Sequence, residues 1–144
     1  MLTKKISVYC LMALLLGLAQ TSVSDDGSCP SESCFVSLVK LVAYGERYDK
    51  SKIVIRGVFF SEGEHAAVYL DSGSMKYGID ENAVYIHLRD VQDPSLLTGK
   101  YVIVEGQFDS KDKGISGIFA GSLKSIIRIH PTPGESVKRQ DNKP

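Results

Sequence analysis

The sequence is poor in the residues that most often carry chemistry. It holds three histidines and three cysteines in 144 residues, and its 17 Lys and Arg are matched by 17 Asp and Glu. The formal net charge of zero excludes strong non-specific attraction to nucleic acid or anionic lipid. Arg56, Lys76, Arg89, Lys100, Lys111, Lys113, Lys124 and Arg128 are scattered among acids, so no basic track forms either. No HExxH pair and no nucleophile elbow is present. The glycines of Gly114-Ile115-Ser116-Gly117 do not lead from a strand into a helix, which removes a phosphate cradle. Asp80-Glu81 and Asp90 with Asp93 are carboxylates in loops, a chance pairing rather than an acid–base pair. His65 beside Glu62 and Glu64 is more simply solvated than metal-bound. These absences predict no catalytic residues, no cofactor and no metal.

Long apolar runs are scarce as well, with one exception. Val8 to Ala19 is continuous and apolar, preceded by Lys4 and Lys5 and followed by polar residues. That order predicts a secretory signal peptide over 1–24, cleaved after Ala19 or near Ser24, and the run is short for a membrane span. Cys10 comes too early in the run for a lipoprotein signal. Removing 1–24 leaves 15 basic against 17 acidic side chains, so the exported chain is slightly acidic. It also leaves only Cys29 and Cys34, which in an oxidising compartment are expected to pair as a structural disulfide around Pro30-Ser31-Glu32-Ser33. Periplasmic or extracellular location follows, with no stable membrane insertion after cleavage.

What is there is mostly β. Lys52-Ile53-Val54-Ile55-Arg56-Gly57-Val58-Phe59-Phe60 alternates, meets a glycine and resumes. A near copy stands 49 residues later at Tyr101-Val102-Ile103-Val104-Glu105-Gly106-Gln107-Phe108. Both read as strands bent at their glycines. Further strands are expected over 65–71, pairing with the first as a hairpin, over 83–89, and over 117–129 with a bend near Gly121-Ser122. Residues 72–82 form a broad loop or one helical turn around Met75. Ahead of the strands, Phe35, Leu38, Val39 and Val42 recur at helical spacing. They predict a short helix over 33–43, capped by Ser33 or Ser31, ended by Gly45, and buried through those four residues. Five strands with glycine-marked corners predict a small, partly open barrel with a leading N-terminal helix. The expected organisation is signal peptide 1–24, polar tether 25–33, barrel domain 34–130 and tail 131–144.

The turn Tyr48-Asp49-Lys50-Ser51, with Ala66-Ala67-Val68-Tyr69-Leu70, Tyr77-Gly78-Ile79, Asn82-Ala83-Val84-Tyr85-Ile86 and Leu97 through Phe108, resembles a set of small exported bacterial proteins of uncharacterised function. The resemblance spans about 36–129, and Lys50 stands where those proteins usually carry glycine. The strand-glycine pattern is also similar to the oligonucleotide/oligosaccharide-binding (OB) barrel. That implies a fold and no catalytic residue.

One face merits attention as a binding site. Strand periodicity puts Tyr85, His87 and Arg89 in an outward row, with Val84, Ile86 and Leu88 inward, and Tyr69 on the paired strand would complete the patch. Two aromatics, a histidine and an arginine suit a ring or a charged group. The same residues also suit an ordinary wet sheet face. The reading that follows is a non-catalytic binding module of the bacterial envelope or secreted space. Its partner would be an envelope or secreted protein, or a glycan or peptide, and no nucleic acid is expected. Alternatives are an oligosaccharide or small-molecule binder using the Tyr69, Tyr85, His87 and Arg89 face, a nucleic-acid-binding OB protein, and a hydrolase.

Overall fold

The structure, a computed structural model, describes Cys29 and residues 32–133. The expected signal peptide, and the tail beyond 133, lie outside the described residues. Among the described residues six strands form one sheet: β1 (Cys34–Phe35), β2 (Lys52–Glu62), β3 (His65–Tyr69), β4 (Ala83–Ile86), β5 (Tyr101–Asp109) and β6 (Ser122–Pro131). Two short helices are α1 (Leu38–Tyr44) and α2 (Ser72–Lys76). The neighbours run β1-β2-β3-β4-β6-β5, and a further β2–β5 pairing returns the sheet to its start. Five strands therefore make a closed circuit in the order of an OB fold, and β1 is a sixth strand attached outside it. The β4–β6 link is parallel and holds two residue pairs, Tyr85↔Ser122 and Ile86↔Leu123, so the circuit is weakest there.

The two sequence copies pair with each other. In the antiparallel β2–β5 ladder Ile55 faces Val104, Gly57 faces Val102 and Gly106 faces Ile53, so a local two-fold axis passes through the Ile55–Val104 pair. The interior holds Ile53, Ile55, Phe59, Val68, Val84, Ile86, Val102, Val104, Phe108 and Leu123, all buried. Each such side chain contributes roughly 1.5–3 kcal/mol by leaving water.

The glycines on that axis differ in use. β2 runs through Gly57 with its registers intact, passing from pairing with β5 to pairing with β3. Gly57 is required by close approach: a Cβ there would meet the Tyr69 carbonyl oxygen, Val68 Cγ1 at 2.7 Å and Leu38 Cδ1 at 2.9 Å. The register irregularity lies instead at Gly106, where β6 places residues 125–127 opposite one glycine, with Ser125 at φ 48°. The expected bend near Gly121-Ser122 is thus found a few residues later.

The helix departs from expectation in three ways. Cys34 and Phe35 are not helical; they pair in parallel with Ile53 and Val54, and Ser37 is the cap, its side chain accepting the Lys40 N–H. The buried face is Leu38 and Leu41, whereas Phe35, Val39 and Val42 are exposed. Leu38 with Leu41 and Val39 with Val42 have the same three-residue spacing, so periodicity does not choose between them. Gly45 does not end the run in a left-handed turn; at φ −53° it continues into a 3-10 turn, Gly45–Tyr48. Lys50 has φ 63°, so the left-handed geometry natural to glycine is kept by a lysine at that turn. The last strand begins at Ser122 and not near Gly117, and residues 110–121 form a connection lying against the outer face of β3 and β4.

Candidate functional site

The four candidate side chains fall into two environments. Tyr69 and Tyr85 are 2% and 8% exposed, in a second apolar cluster with Ala67, Ala83 and Phe119. The exposed aromatic row expected from periodicity is therefore not formed. Both tyrosines do point to the outer side of the sheet, but the 110–121 connection brings Phe119 down on them. The Tyr85 and Phe119 ring centroids are 5.5 Å apart, and His65 approaches Phe119 at 5.5 Å. The phenols are spent on internal bonds. Tyr69 Oη donates to Asp80 Oδ1 at 2.6 Å and meets His65 Nε2 at 3.2 Å, and Tyr85 Oη donates to the Glu64 carbonyl at 3.0 Å. Burial pushes both phenols up, helped for Tyr69 by Asp80 and for Tyr85 by Asp112 and Glu64.

A network of carboxylates and cations pins the covering segment. Asp109 Oδ2 takes Lys50 Nζ at 2.7 Å and Lys124 Nζ at 3.1 Å, while its Oδ1 accepts the N–H groups of Lys111 and Asp112. Asp112 Oδ2 takes His87 Nε2 at 2.8 Å and Lys124 Nζ at 2.9 Å. Asp49 Oδ1 receives both the backbone N–H and the hydroxyl of Ser110, each at 2.9 Å. Lys50 first, with Lys124 and the backbone N–H donors, holds the Asp109 carboxyl well below its ordinary range against burial. Burial alone would raise Asp112, but Lys124, His87 and the Gly114 N–H outweigh it and hold that carboxyl low too. Gly114, at φ 67°, lets the segment lie on the sheet, since a Cβ there would stand 2.7 Å from Phe119 Cδ2 and 2.8 Å from Tyr85 Cγ.

His87 and Arg89 stay accessible. β4 ends at Ile86, and the chain turns into a 3-10 turn, Leu88–Asp90, so Arg89 does not continue the strand row. With Lys124 and Ser125 the two line a groove of about 340 Å³. The structure thus keeps His87 with Arg89 and separates both from a free aromatic surface. Phe119 is what sequence reasoning missed, because it stood inside a presumed strand. The signal available was Asp109-Ser110-Lys111-Asp112, two carboxylates three apart before two positive-φ glycines, a composition that builds its own hydrogen-bonded loop.

Four large apolar side chains of the β1–α1 stretch are exposed. Phe35 is 63% exposed, Val39 58% and Tyr44 57%, with Val42 beside them. The Arg56 guanidinium lies 4.9 Å from the Phe35 ring centre, and Arg47 lies 4.9 Å from that of Tyr44. The base of this region is tied down covalently. Cys29 and Cys34 are disulfide-bonded with Cα atoms 5.8 Å apart, Ser33 Oγ donates to Glu105, and Arg128 Nε reaches Glu105 Oε2 at 2.6 Å. Among the described residues no three His, Cys, Asp or Glu are grouped to hold a metal ion, and no helix is long and apolar enough to cross a membrane.

Comparison with known proteins gives no match to a protein family and none to a curated protein. Among solved structures the chain is similar to the S. pombe Stn1–Ten1 complex, with 14% identity, coverage of 74% of this chain and 84% of that one, and a TM-score of 0.47. It is also similar to a putative aspartyl-tRNA synthetase from Leishmania major, with 18% identity over 67% of this chain and a TM-score of 0.40, spanning only 20% of the synthetase chain. Likenesses this distant carry no residue role across, and the OB-like assignment rests on the strand circuit itself.

Proposed function

We propose that this chain is a non-catalytic interaction module of the bacterial periplasm or extracellular space, binding a protein partner through the face formed by β1 and α1. The observation that carries the reading is the exposed set Phe35, Val39, Val42 and Tyr44, with arginines stacked on both aromatic rings. Aromatic and arginine side chains dominate the energetics of protein interfaces. The stacked guanidiniums hold the rings in place before binding, which lowers the entropy cost of association. The charged start and greasy core of residues 1–24 support export, and the Cys29–Cys34 bond suits an oxidising compartment.

The outer face of β3 and β4 supports ligand binding less well. Tyr69, Tyr85, His87 and Arg89 would form one ligand face only if the 110–121 segment swung away, giving up the Phe119 packing and the Asp112 ion pairs. The partner reading is tested by retrieval from envelope extract with the tagged chain and with a Phe35→Glu, Val39→Glu double variant. A reproducible partner retained by the parent and lost by the variant, with unchanged thermal stability, supports it. Equal retention by both, or no reproducible partner, contradicts it.

A further inference from the structure

Where β1 and α1 meet the outer side of β2, the chain leaves a groove that its own side chains do not fill. Phe35 and Val36 at the end of β1, Leu38 of α1, Leu70 after β3 and Tyr101 of β5 line about 380 Å³, with Arg56 in the wall. That is the small end of the range for binding sites, roughly 300–1,000 Å³. The walls are held from several directions. β1 pairs with Ile53 and Val54 and is tied by the Cys29–Cys34 bond. Val36 and Leu38 are buried, which fixes the floor. Tyr101 stands opposite Val58 in the β2–β5 ladder, and its Oη donates to the Leu70 carbonyl at 3.5 Å. The groove is therefore formed before anything binds.

The charge in that wall is not neutralised by its neighbours. Ile53 and Ile55 point into the core, so Arg56 points outward, where its guanidinium lies 4.9 Å from the Phe35 ring centre. Contact with a ring uses none of the guanidinium N–H donors. The ion pairs among the described residues join Lys50, His87, Lys124 and Arg128 to Asp109, Asp112 and Glu105, and none includes Arg56. The two carboxylates nearest the groove along the strands are already engaged. Glu105, opposite Val54, accepts from Ser33 Oγ and pairs with Arg128. Asp71, next to Leu70, accepts the Ser74 N–H and the Ser74 hydroxyl, each at 2.9 Å. An apolar groove with an unneutralised arginine in its wall is complementary to an apolar side chain that has a carboxylate beside it.

We infer that this groove seats an apolar side chain of a partner protein, while Arg56 takes an Asp or Glu within two residues of it in the partner's chain. The apolar walls supply the burial and Arg56 supplies the selection, since a basic segment is repelled there. The inference rests on the β1–α1 interaction reading above and specifies the chemistry of the partner.

The test pans a displayed library of random peptides against the purified chain, and against Arg56→Glu and Arg56→Gln chains whose thermal melts match the parent. Peptides enriched by the parent should carry a large apolar side chain with Asp or Glu within two positions. Arg56→Glu should enrich Lys or Arg at the same offset. A synthetic parent-selected peptide should shift the amide NMR signals of Val36, Leu38, Leu70 and Tyr101. Alanine for its acid, or Arg56→Gln in the chain, should weaken it roughly tenfold or more, the scale of a charge-assisted hydrogen bond. No enrichment, enrichment without an acid, the same peptides from parent and Arg56→Glu, or shifts elsewhere would overturn the inference. So would N-acetyl-leucine binding as tightly as the peptide, which would make the ligand a small carboxylate. Val39 does not line this groove, so the two readings fail separately. A cellular partner lost with Val39→Glu but kept by Arg56→Glu contradicts the groove alone, and Arg56-dependent peptide binding with no cellular partner contradicts the interaction reading alone.

Discussion

At the scale of single residues, Gly57 and Phe119 have consequences out of proportion to their size. Gly57 has no room for a methyl group, because the space is taken by the Tyr69 carbonyl, Val68 and Leu38. Gly57→Ala is therefore expected to cost about 1–3 kcal/mol of unfolding free energy by overpacking. Urea denaturation measures this, and a value near zero would mean the strand is free to move aside. Phe119 is 1% exposed and is the lid of the second apolar cluster. Phe119→Ala should cost about 3–5 kcal/mol, the usual range for emptying a buried phenylalanine site. It should also open Tyr85 to solvent, read as increased quenching of tyrosine fluorescence by acrylamide. Loss of stability without new accessibility would show that the segment closes down over the gap.

Asp112 gives a prediction in pH at the same scale. Its carboxyl is held below the ordinary value, so it binds a proton less readily in the folded chain than in the unfolded one. The stabilisation is present above the unfolded value, about 4 for an aspartate, and is lost as pH falls through the lower folded value. Asp112→Asn should flatten the decline of stability on acidification below about pH 4 relative to the parent. An unchanged acid limb in paired thermal melts would show that Asp112 does not contribute to it.

At the scale of elements, β2 and β5 were legible because alternation, β-branched side chains and a glycine at the same offset all agree in both copies. Their direct pairing, with Ile55 opposite Val104, was not legible, since nothing in either strand names its neighbour. α1 was half legible. A helix after Ser33 follows from spacing, but Leu38 with Leu41 and Val39 with Val42 are equivalent by period, and only the position of the sheet decides between them. Phe35 looked like the first buried residue of that helix; pairing of β1 with β2 instead turns it outward. The 110–121 connection was the least legible, because its cover over Tyr69 and Tyr85 depends on ion pairs with Lys50, His87 and Lys124 from distant parts of the chain. Of the candidate side chains, His87 and Arg89 line one groove, although Arg89 lies in a 3-10 turn and not in a strand row, and the aromatic half is covered by Phe119.

At the scale of the whole molecule, the OB-like circuit spends its outer β3–β4 face on its own packing and leaves the β1–α1 side open. That side is anchored by the Cys29–Cys34 bond. Removing the bond with Cys29→Ser and Cys34→Ser together should lower stability by about 2 kcal/mol, the low end for disulfides because the ring is short. Any larger loss, in the same denaturation measurement, would mean the bond holds more than β1 in register.

Site-specific photo-crosslinking in the living cell tests most directly whether a partner protein covers the β1–α1 face. A benzophenone side chain in place of Val39, which is 58% exposed, is compared with one in place of Glu81, an exposed residue of the 3-10 turn before β4. A discrete crosslinked product is expected from position 39 and none from position 81. No product from position 39, or the same products from both positions, would contradict it.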